Sequence, residues 1–468
     1  MRYLSTRGRA PALGFCDVML AGLADDGGLY VPETWPRIGP DEIAGFAGRP
    51  YADVAGDIVT RFTGGEIADG DVRRMCREAY AGFRHPAVAP LVQLGPGEWA
   101  LELFHGPTLA FKDLAMQLLA RLMSRVLAER GQRATIVGAT SGDTGAAAMQ
   151  AFAGSDRADV FILFPHGRIS PIQQRQMTTA AAANVHAIAV EGTFDDCQAI
   201  VKNLFGDAAF RDRVGLAGAN SINWARILAQ TVYYFTAAVA LGGPSRPVSF
   251  TVPTGNFGDI FAGYAAKRMG LPVARLVIAT NVNDILARTL ADGRYALREV
   301  AATVSPSMDI QVSSNFERLL FEASGRDAAT VRRLMDALAT KRAFDLDEGL
   351  LDAIRGDFAA GRADEAETAA TMRATREATG FLPDPHTAVG LAVGRRNVEP
   401  GVPMVTLATA HPAKFPDAVR AATGMDPPTP AGLADIMARQ ERFTVLPNDR
   451  QQVADAIAAR TRAAAERV

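Results

Sequence analysis

Cysteine is scarce: Cys16, Cys76 and Cys197 are the only three among 468 residues. An odd number of distant thiols makes neither a disulfide framework nor CxxC metal spacing, and a reducing, cytoplasmic compartment is expected. No set of histidines, cysteines and carboxylates has metal-ligand spacing, so no metal is expected. Long apolar runs are missing too, since the longest candidate, Thr231 to Leu241, falls well below the roughly 20 residues that span a bilayer. The N-terminus MRYLSTRGRAPALGFCD carries arginines but lacks the apolar core of a secretory signal. A membrane partner is therefore not expected. Neither sign of charge is in excess, with 49 Lys+Arg against 51 Asp+Glu, which leaves no basic surplus for a nucleic acid. Lysine itself is rare, and only Lys112, Lys202, Lys267, Lys341 and Lys414 occur. A lysine in an unusual setting is then worth inspecting.

What remains is an ordinary globular composition, 48% hydrophobic and 21% charged, and a length that suits two to four domains of roughly 100–200 residues each. From about Arg133 onward, short apolar runs alternate with helical segments: RATIVGAT, DVFILFP, VHAIAV, VSFTVPT, ARLVIAT and PMVTLAT. Such runs read as strands covered on both faces, and the alternation predicts an open, mainly parallel α/β sheet architecture. Residues 1–95 read as an N-terminal subdomain with a loop-rich exit. The expected division continues with a smaller α/β domain over 96–245 and a larger one over 246–430 that carries a helical insertion. A helical extension over 431–468 completes it.

In such sheets, ligands bind where strands end in glycine-rich turns that open helices. Two turns of this kind stand out. After RATIVGAT come Thr140, Ser141, Gly142, Asp143 and Thr144, hydroxyl-rich and without the lysine of a P-loop. After VSFTVP come Thr254, Gly255, Asn256, Phe257 and Gly258, where glycines let backbone amides close around a phosphate. Either turn alone is equally a capped strand–turn–helix. Together they suggest a ligand set with two anionic ends, such as a phosphorylated cofactor and an anionic substrate. A third feature, LELFHGPTLAFKDLAMQLLARLM, puts Lys112 at the start of an apolar helix. The plain alternative is a lysine whose stem lies along the surface. The helix dipole and an apolar pocket both favour the neutral amine that Schiff-base chemistry requires.

A lysine amine, a phosphate-cradling turn and a carboxylate-binding turn are the equipment of a pyridoxal phosphate enzyme. The segments YLSTRG, DGGLYVPE, ELFHGPTLAFKD, GATSGDTG, NSINWARILAQ, PTGNFGD, DPHTAVG and TAHPAKF follow one another along nearly the whole chain. On these segments the chain resembles the threonine synthase family, within fold type II of the pyridoxal phosphate enzymes (tryptophan synthase β-like). The resemblance implies two open, mostly parallel α/β domains with pyridoxal 5'-phosphate between them. It also implies the small-molecule substrate O-phospho-L-homoserine, converted with water to L-threonine and phosphate, in a monomer or homodimer. Lys112 matches the Schiff-base lysine, which also moves substrate protons. Thr254, Gly255, Asn256, Phe257 and Gly258 match the cofactor-phosphate loop. Asp143 stands where many relatives of the fold carry an Asn beside the cofactor's 3'-oxygen, a departure from the wider pattern. Thr409 matches the hydroxyl at the pyridine nitrogen. Thr140, Ser141 and Thr144 match the substrate-carboxylate turn, and Ser221, Asn223 and Arg226 a substrate-phosphate site, where a planar guanidinium suits bidentate binding. His105, His386 and His411 lie inside these motifs and read as hydrogen-bonded structural groups. Two rivals remain: a dehydratase of the same fold, which needs no second phosphate site, and a catalytically silent relative.

Overall fold

The six apolar runs form strands, and they divide between two sheets in a computed structural model that describes residues 1–140, 142–431 and 433–464. Ala134–Ala139, Ala158–Pro165 and Val185–Glu191 occupy the middle of a five-stranded sheet, flanked by Leu216–Ala217 and Thr444–Pro447. All its pairings are parallel. The second sheet has six strands in the order Phe358–Arg362, Val273–Thr280, Val248–Pro253, Met404–Ala408, Glu98–Glu102 and Leu91–Gly95. It is parallel except for the hairpin of its last two strands. Every residue of Ala158–Pro165 and of Val248–Pro253 is buried. Strands apolar on both sides need cover on both sides, and helices supply it. The architecture is the expected α/β arrangement of fold type II.

Two segments depart from the expected division. The hairpin Leu91–Glu102 straddles position 95 and pairs wholly into the six-stranded sheet. The C-terminal tail is not purely helical, since Thr444–Pro447 adds an edge strand to the five-stranded sheet before the helix Arg450–Ala458. The edge strands Leu91–Gly95 and Thr444–Pro447 are only five and four residues long and partly exposed, too short to show an apolar period. The N-terminal antiparallel pair, Tyr3–Ser5 with Tyr30–Pro32, is anchored by aromatic packing. Trp224 sits with its ring centroid 5.9 Å from each of Tyr3, Trp35 and Phe62. That cluster fixes the start of the helix Trp224–Ala240, which Asn223 caps by accepting from the Ala225 amide at 3.0 Å.

The helix Lys112–Glu129 is built from strong helix formers and buries twelve residues, including its first-turn Asp113. The loop between 297 and 315 is gathered around Asp309. Its carboxylate accepts from Asn281 at 2.8 Å, Asn283 at 3.0 Å and the Thr303 hydroxyl at 2.7 Å.

The chain's last described turn is tied back by Arg462, whose Nε and backbone amide both donate at 2.8 Å to Asp159, a carboxylate 2% exposed on the Ala158–Pro165 strand. Arg462→Ala should lower stability by about 2 kcal/mol, because a buried carboxylate loses its charged donor and keeps only the backbone amide. The measurement is the urea midpoint, followed by far-UV circular dichroism.

Candidate active site

Three chain segments from separate strand ends meet at one carboxylate. Asp143 opens the helix Asp143–Phe152, directly after the strand Ala134–Ala139, and its side chain is 4% exposed. Gly142 makes that turn at φ 154, and a Cβ there would lie 2.4 Å from the Gln173 side chain. Only glycine fits. Asp143 Oδ1 accepts from Gln173 Nε2 at 2.9 Å and pairs with Lys414 Nζ at 2.6 Å, while Oδ2 faces Lys112 Nζ at 3.4 Å. Burial alone would raise the pKa of this carboxyl, but Lys414 and Lys112 together hold it far below the usual carboxylate range. The two lysines thus favour the ionised form of Asp143.

Lys112 is less firmly held. Among the described residues its Nζ reaches Asp143 at 3.4 Å and the Ser307 hydroxyl at 3.3 Å, and burial pulls its pKa down, with Asp143 opposing. A desolvated amine with two long contacts is a reactive one. Ser307 belongs to a short turn, Pro306–Met308, whose position is set from behind. Its amide donates to His386 Nε2 at 3.2 Å, and His386 Nδ1 lies 2.7 Å from Asp384. His386 is thus a structural hydrogen-bonding group, as are His105, 2.7 Å from Glu102, and His411, which caps the Ala413 amide at 3.1 Å.

The glycine turn Thr254–Gly258 lies against the same Ser307 turn. A Cβ on Gly255 would stand 2.5 Å from the Ser307 carbonyl oxygen, so the two turns touch backbone to backbone. The carbonyls of Gly255 and Asn256 accept from the Ser313 hydroxyl at 2.7 Å and the Asn315 side chain at 2.9 Å. Phe257 holds φ 64 at the start of the helix Gly258–Met269, an uncommon conformation for a bulky residue. The Thr254 amide is taken by the Ala279 carbonyl at 2.8 Å, which leaves the amides of Gly255 to Gly258, at the helix N-terminus, as the turn's donors for an anion.

Arg226 completes the charge pattern. It is 3% exposed, donates one 3.3 Å bond to the Ala219 carbonyl, and its Nε finds no partner among the described residues. No carboxylate pairs with it there, and burial lowers its pKa to about 10. A buried cation without a counter-ion is costly unless an anion arrives to meet it.

The other expected residues are placed less uniformly. The Thr140 hydroxyl accepts from the amides of Gly142 at 2.9 Å and Gly145 at 3.1 Å, and so caps the turn it was expected to open. Thr144 is in the first turn of that helix, and Ser141 lies outside the described residues. Thr409 touches the Lys112 segment through its carbonyl, which accepts from the Phe111 amide at 2.8 Å. The Ser221 carbonyl accepts from Asn315 at 3.2 Å, beside the glycine turn. Two side chains are engaged elsewhere. Asn223 is fully buried, donating to Met19 O at 2.8 Å and Gly218 O at 3.2 Å besides capping its helix, and the Thr254 hydroxyl donates to Val252 O at 2.6 Å. Neither is free for a ligand in this arrangement. Sequence reasoning passed over Ser307, Gln173 and Lys414. Lys414 alone carried a signal, as one of five lysines and inside the TAHPAKF motif.

Comparison with known proteins now decides the family. A family model for the threonine synthase N terminus matches residues 2–80, one for pyridoxal-phosphate dependent enzymes matches 84–351, and one for the threonine synthase C-terminal region matches 387–457. The chain is 53% identical over 455 residues to a threonine synthase from Pseudomonas aeruginosa, covering 97% of each. The chain belongs to the threonine synthase family. A PLP-bound threonine synthase structure from Brucella melitensis superposes with a TM-score of 0.97 at 61% identity, covering 99% of this chain and 100% of that one. The yeast threonine synthase structure gives 0.93 at 39% identity, with 98% of each covered. Pyridoxal phosphate is the family's cofactor, and the residues here fit it: a desolvated amine in loose contact, and a glycine turn too crowded at Gly255 for a Cβ.

A buried carboxyl behind the glycine turn is shifted toward neutrality. Asp259, in the first turn of the helix behind the glycine turn, is pushed up to about 7 by burial, although the hydroxyls of Tyr233 and Tyr234 both donate to it. A carboxyl raised on folding stabilises the fold below its unfolded value of about 3.9 and loses that contribution as pH rises through 7. Thermal melting of Asp259→Asn should thus depend less on pH between 4 and 7 than that of the native protein, and the variant should gain relative to it at pH 8.

Proposed function

We propose that the protein converts O-phospho-L-homoserine and water to L-threonine and phosphate, with pyridoxal phosphate held at Lys112. The observation that carries this reading is Arg226, a buried guanidinium without a counter-ion beside the Lys112 pocket. An enzyme that eliminates only water or ammonia from its substrate has no use for a second anion site of that kind. When bound, the cofactor would supply an electron sink that stabilises negative charge on the substrate's amino-bearing carbon and on the carbon next to it.

The chain's own groups do the rest. The amides of Gly255, Asn256, Phe257 and Gly258 bind the cofactor phosphate. Thr409 offers its hydroxyl to the pyridine nitrogen, and a neutral partner there leaves that nitrogen largely unprotonated. Thr140, Ser141 and Thr144 orient the substrate carboxylate. Lys112 Nζ takes the proton from the α-carbon and then one from the β-carbon, and it returns one to the γ-carbon once phosphate has left and one to the α-carbon once water has added its hydroxyl at the β-carbon, the water's remaining proton leaving with phosphate. Burial, which favours its neutral form, suits that amine to the task. Arg226 binds the γ-phosphate and steadies the charge that develops as the bond to the γ-carbon breaks. The low exposure of Lys112, 12% of its side chain, excludes bulk water until a single molecule adds at the β-carbon. Among the described residues no helix is long and apolar enough to cross a membrane, and the three cysteines are buried free thiols, which supports a cytoplasmic site of action.

Purified protein incubated with pyridoxal phosphate and O-phospho-L-homoserine should release threonine and phosphate in equal amounts, with 2-oxobutyrate as a minor product at most. Lys112→Ala should abolish both. 2-Oxobutyrate as the main product would move the assignment to the dehydratase reading. Arg226→Ala should cut kcat/KM about a hundredfold, about 2.7 kcal/mol of transition-state stabilisation, in steady-state assays of phosphate release.

A further inference from the structure

Two lysines meet Asp143, and only one of them has been given work. Lys414 lies in the turn Pro412–Lys414 that follows the strand Met404–Ala408, and its side chain is 0% exposed. Its Nζ spends its hydrogen bonds inward, 2.6 Å from Asp143 Oδ1 and 2.8 Å from the Thr108 carbonyl. Lys112, 12% exposed and 3.4 Å from the other oxygen, is the amine that a ligand can reach. Thr108 links the pair back to the Lys112 segment, because its amide and hydroxyl both donate to Asp113, at 2.8 Å and 2.7 Å.

We propose that Lys414 is a positioning residue for Lys112. From a fully buried site it neutralises Asp143, so that Lys112 meets an oriented hydrogen-bond acceptor carrying little net charge. This rests on the reading of Lys112 as the cofactor-holding lysine. The charged groups facing Lys112 are Asp143 from the helix Asp143–Phe152, Lys414 from its turn and Arg226 from the helix Trp224–Ala240, while the Asp113 carboxylate on Lys112's own helix is turned to Thr108. Asp143 favours the protonated form of Lys112, and Lys414 and Arg226 oppose it. Without Lys414, the full negative charge of Asp143 would act on Lys112 and keep its nitrogen protonated to higher pH. The ion pair thereby supplies an acceptor like a neutral amide's, in a form that remains bound to Lys414.

The test compares the cofactor-loaded native protein with Lys414→Met and with Asp143→Asn/Lys414→Met, following the visible absorption of the bound cofactor across pH. The midpoint should rise by about one unit in Lys414→Met, the size expected of an uncompensated neighbouring charge. In the double variant, whose neutral pair has the net charge of the ion pair it replaces, it should return to within about half a unit of native. An unchanged midpoint in the single variant, or an equal rise in both, overturns the proposal. Should Lys414→Met alone fail to fold, recovery of a folded, cofactor-binding double variant supports the same conclusion, and failure of both overturns it in favour of a packing role. Borohydride reduction and peptide mapping of the native protein separate this from the underlying assignment. Label on the Lys112 peptide upholds it, whereas label on the Lys414 peptide overturns the cofactor assignment itself.

Discussion

A carboxylate with 4% of its side chain exposed stays ionised only where cations meet it inside the protein, and Asp143 draws two lysines to itself from opposite ends of the chain. Desolvating three charges at once is expensive, and the cost is offset only because Gln173 and the Thr108 carbonyl take the remaining hydrogen-bonding positions. The strand ends carrying the SGDTG turn, the Lys112 segment and the TAHPAKF turn must therefore converge closely. That requirement explains why the two sheets face each other at this place, and why Gly142 cannot be exchanged for a residue with a side chain.

Around this charge cluster the site is held by turns that brace one another. Ser307 touches Lys112 with its hydroxyl, crowds Gly255 with its carbonyl and is held by His386 through its amide. Asp309 gathers the surrounding loop, and Asn315 joins the glycine turn to Ser221. Asn315 also accepts from Arg318, a fully buried guanidinium that donates to Tyr30 O at 3.0 Å and Ile222 O at 2.7 Å. The N-terminal subdomain is thus joined to the phosphate turn through one arginine. Arg226 stands apart from this economy, since its neighbours give it one weak bond and no charge, and its burial has a purpose only when an anion shares the space.

The elements legible in the sequence are those whose signal is local. A run such as DVFILFP is a covered strand whatever surrounds it, and the turns at Gly142 and Gly255 announce themselves by glycine next to hydroxyl residues. Lys112 was legible because a lysine opening an apolar helix is unusual. The edge strands at Leu91 and Thr444 left no such mark, since five and four residues are too few to show a period. Asn223 illustrates the opposite failure. Its motif pointed to substrate, yet its amide is consumed by a helix cap and two carbonyls, a competition that only packed coordinates reveal.

By itself, the sequence determined the α/β class and the strand-ending turns and singled out Lys112, because each depends on residues a few positions apart. The tertiary structure decided which groups face that lysine. Asp143 is 31 positions from it, Ser307 is 195 away, and Lys414 is 306 positions from the Thr108 carbonyl that holds it. Charge compensation in a desolvated site acts through ångströms of space, so the pairing of Lys414 with Asp143 came into being only when the chain closed around both.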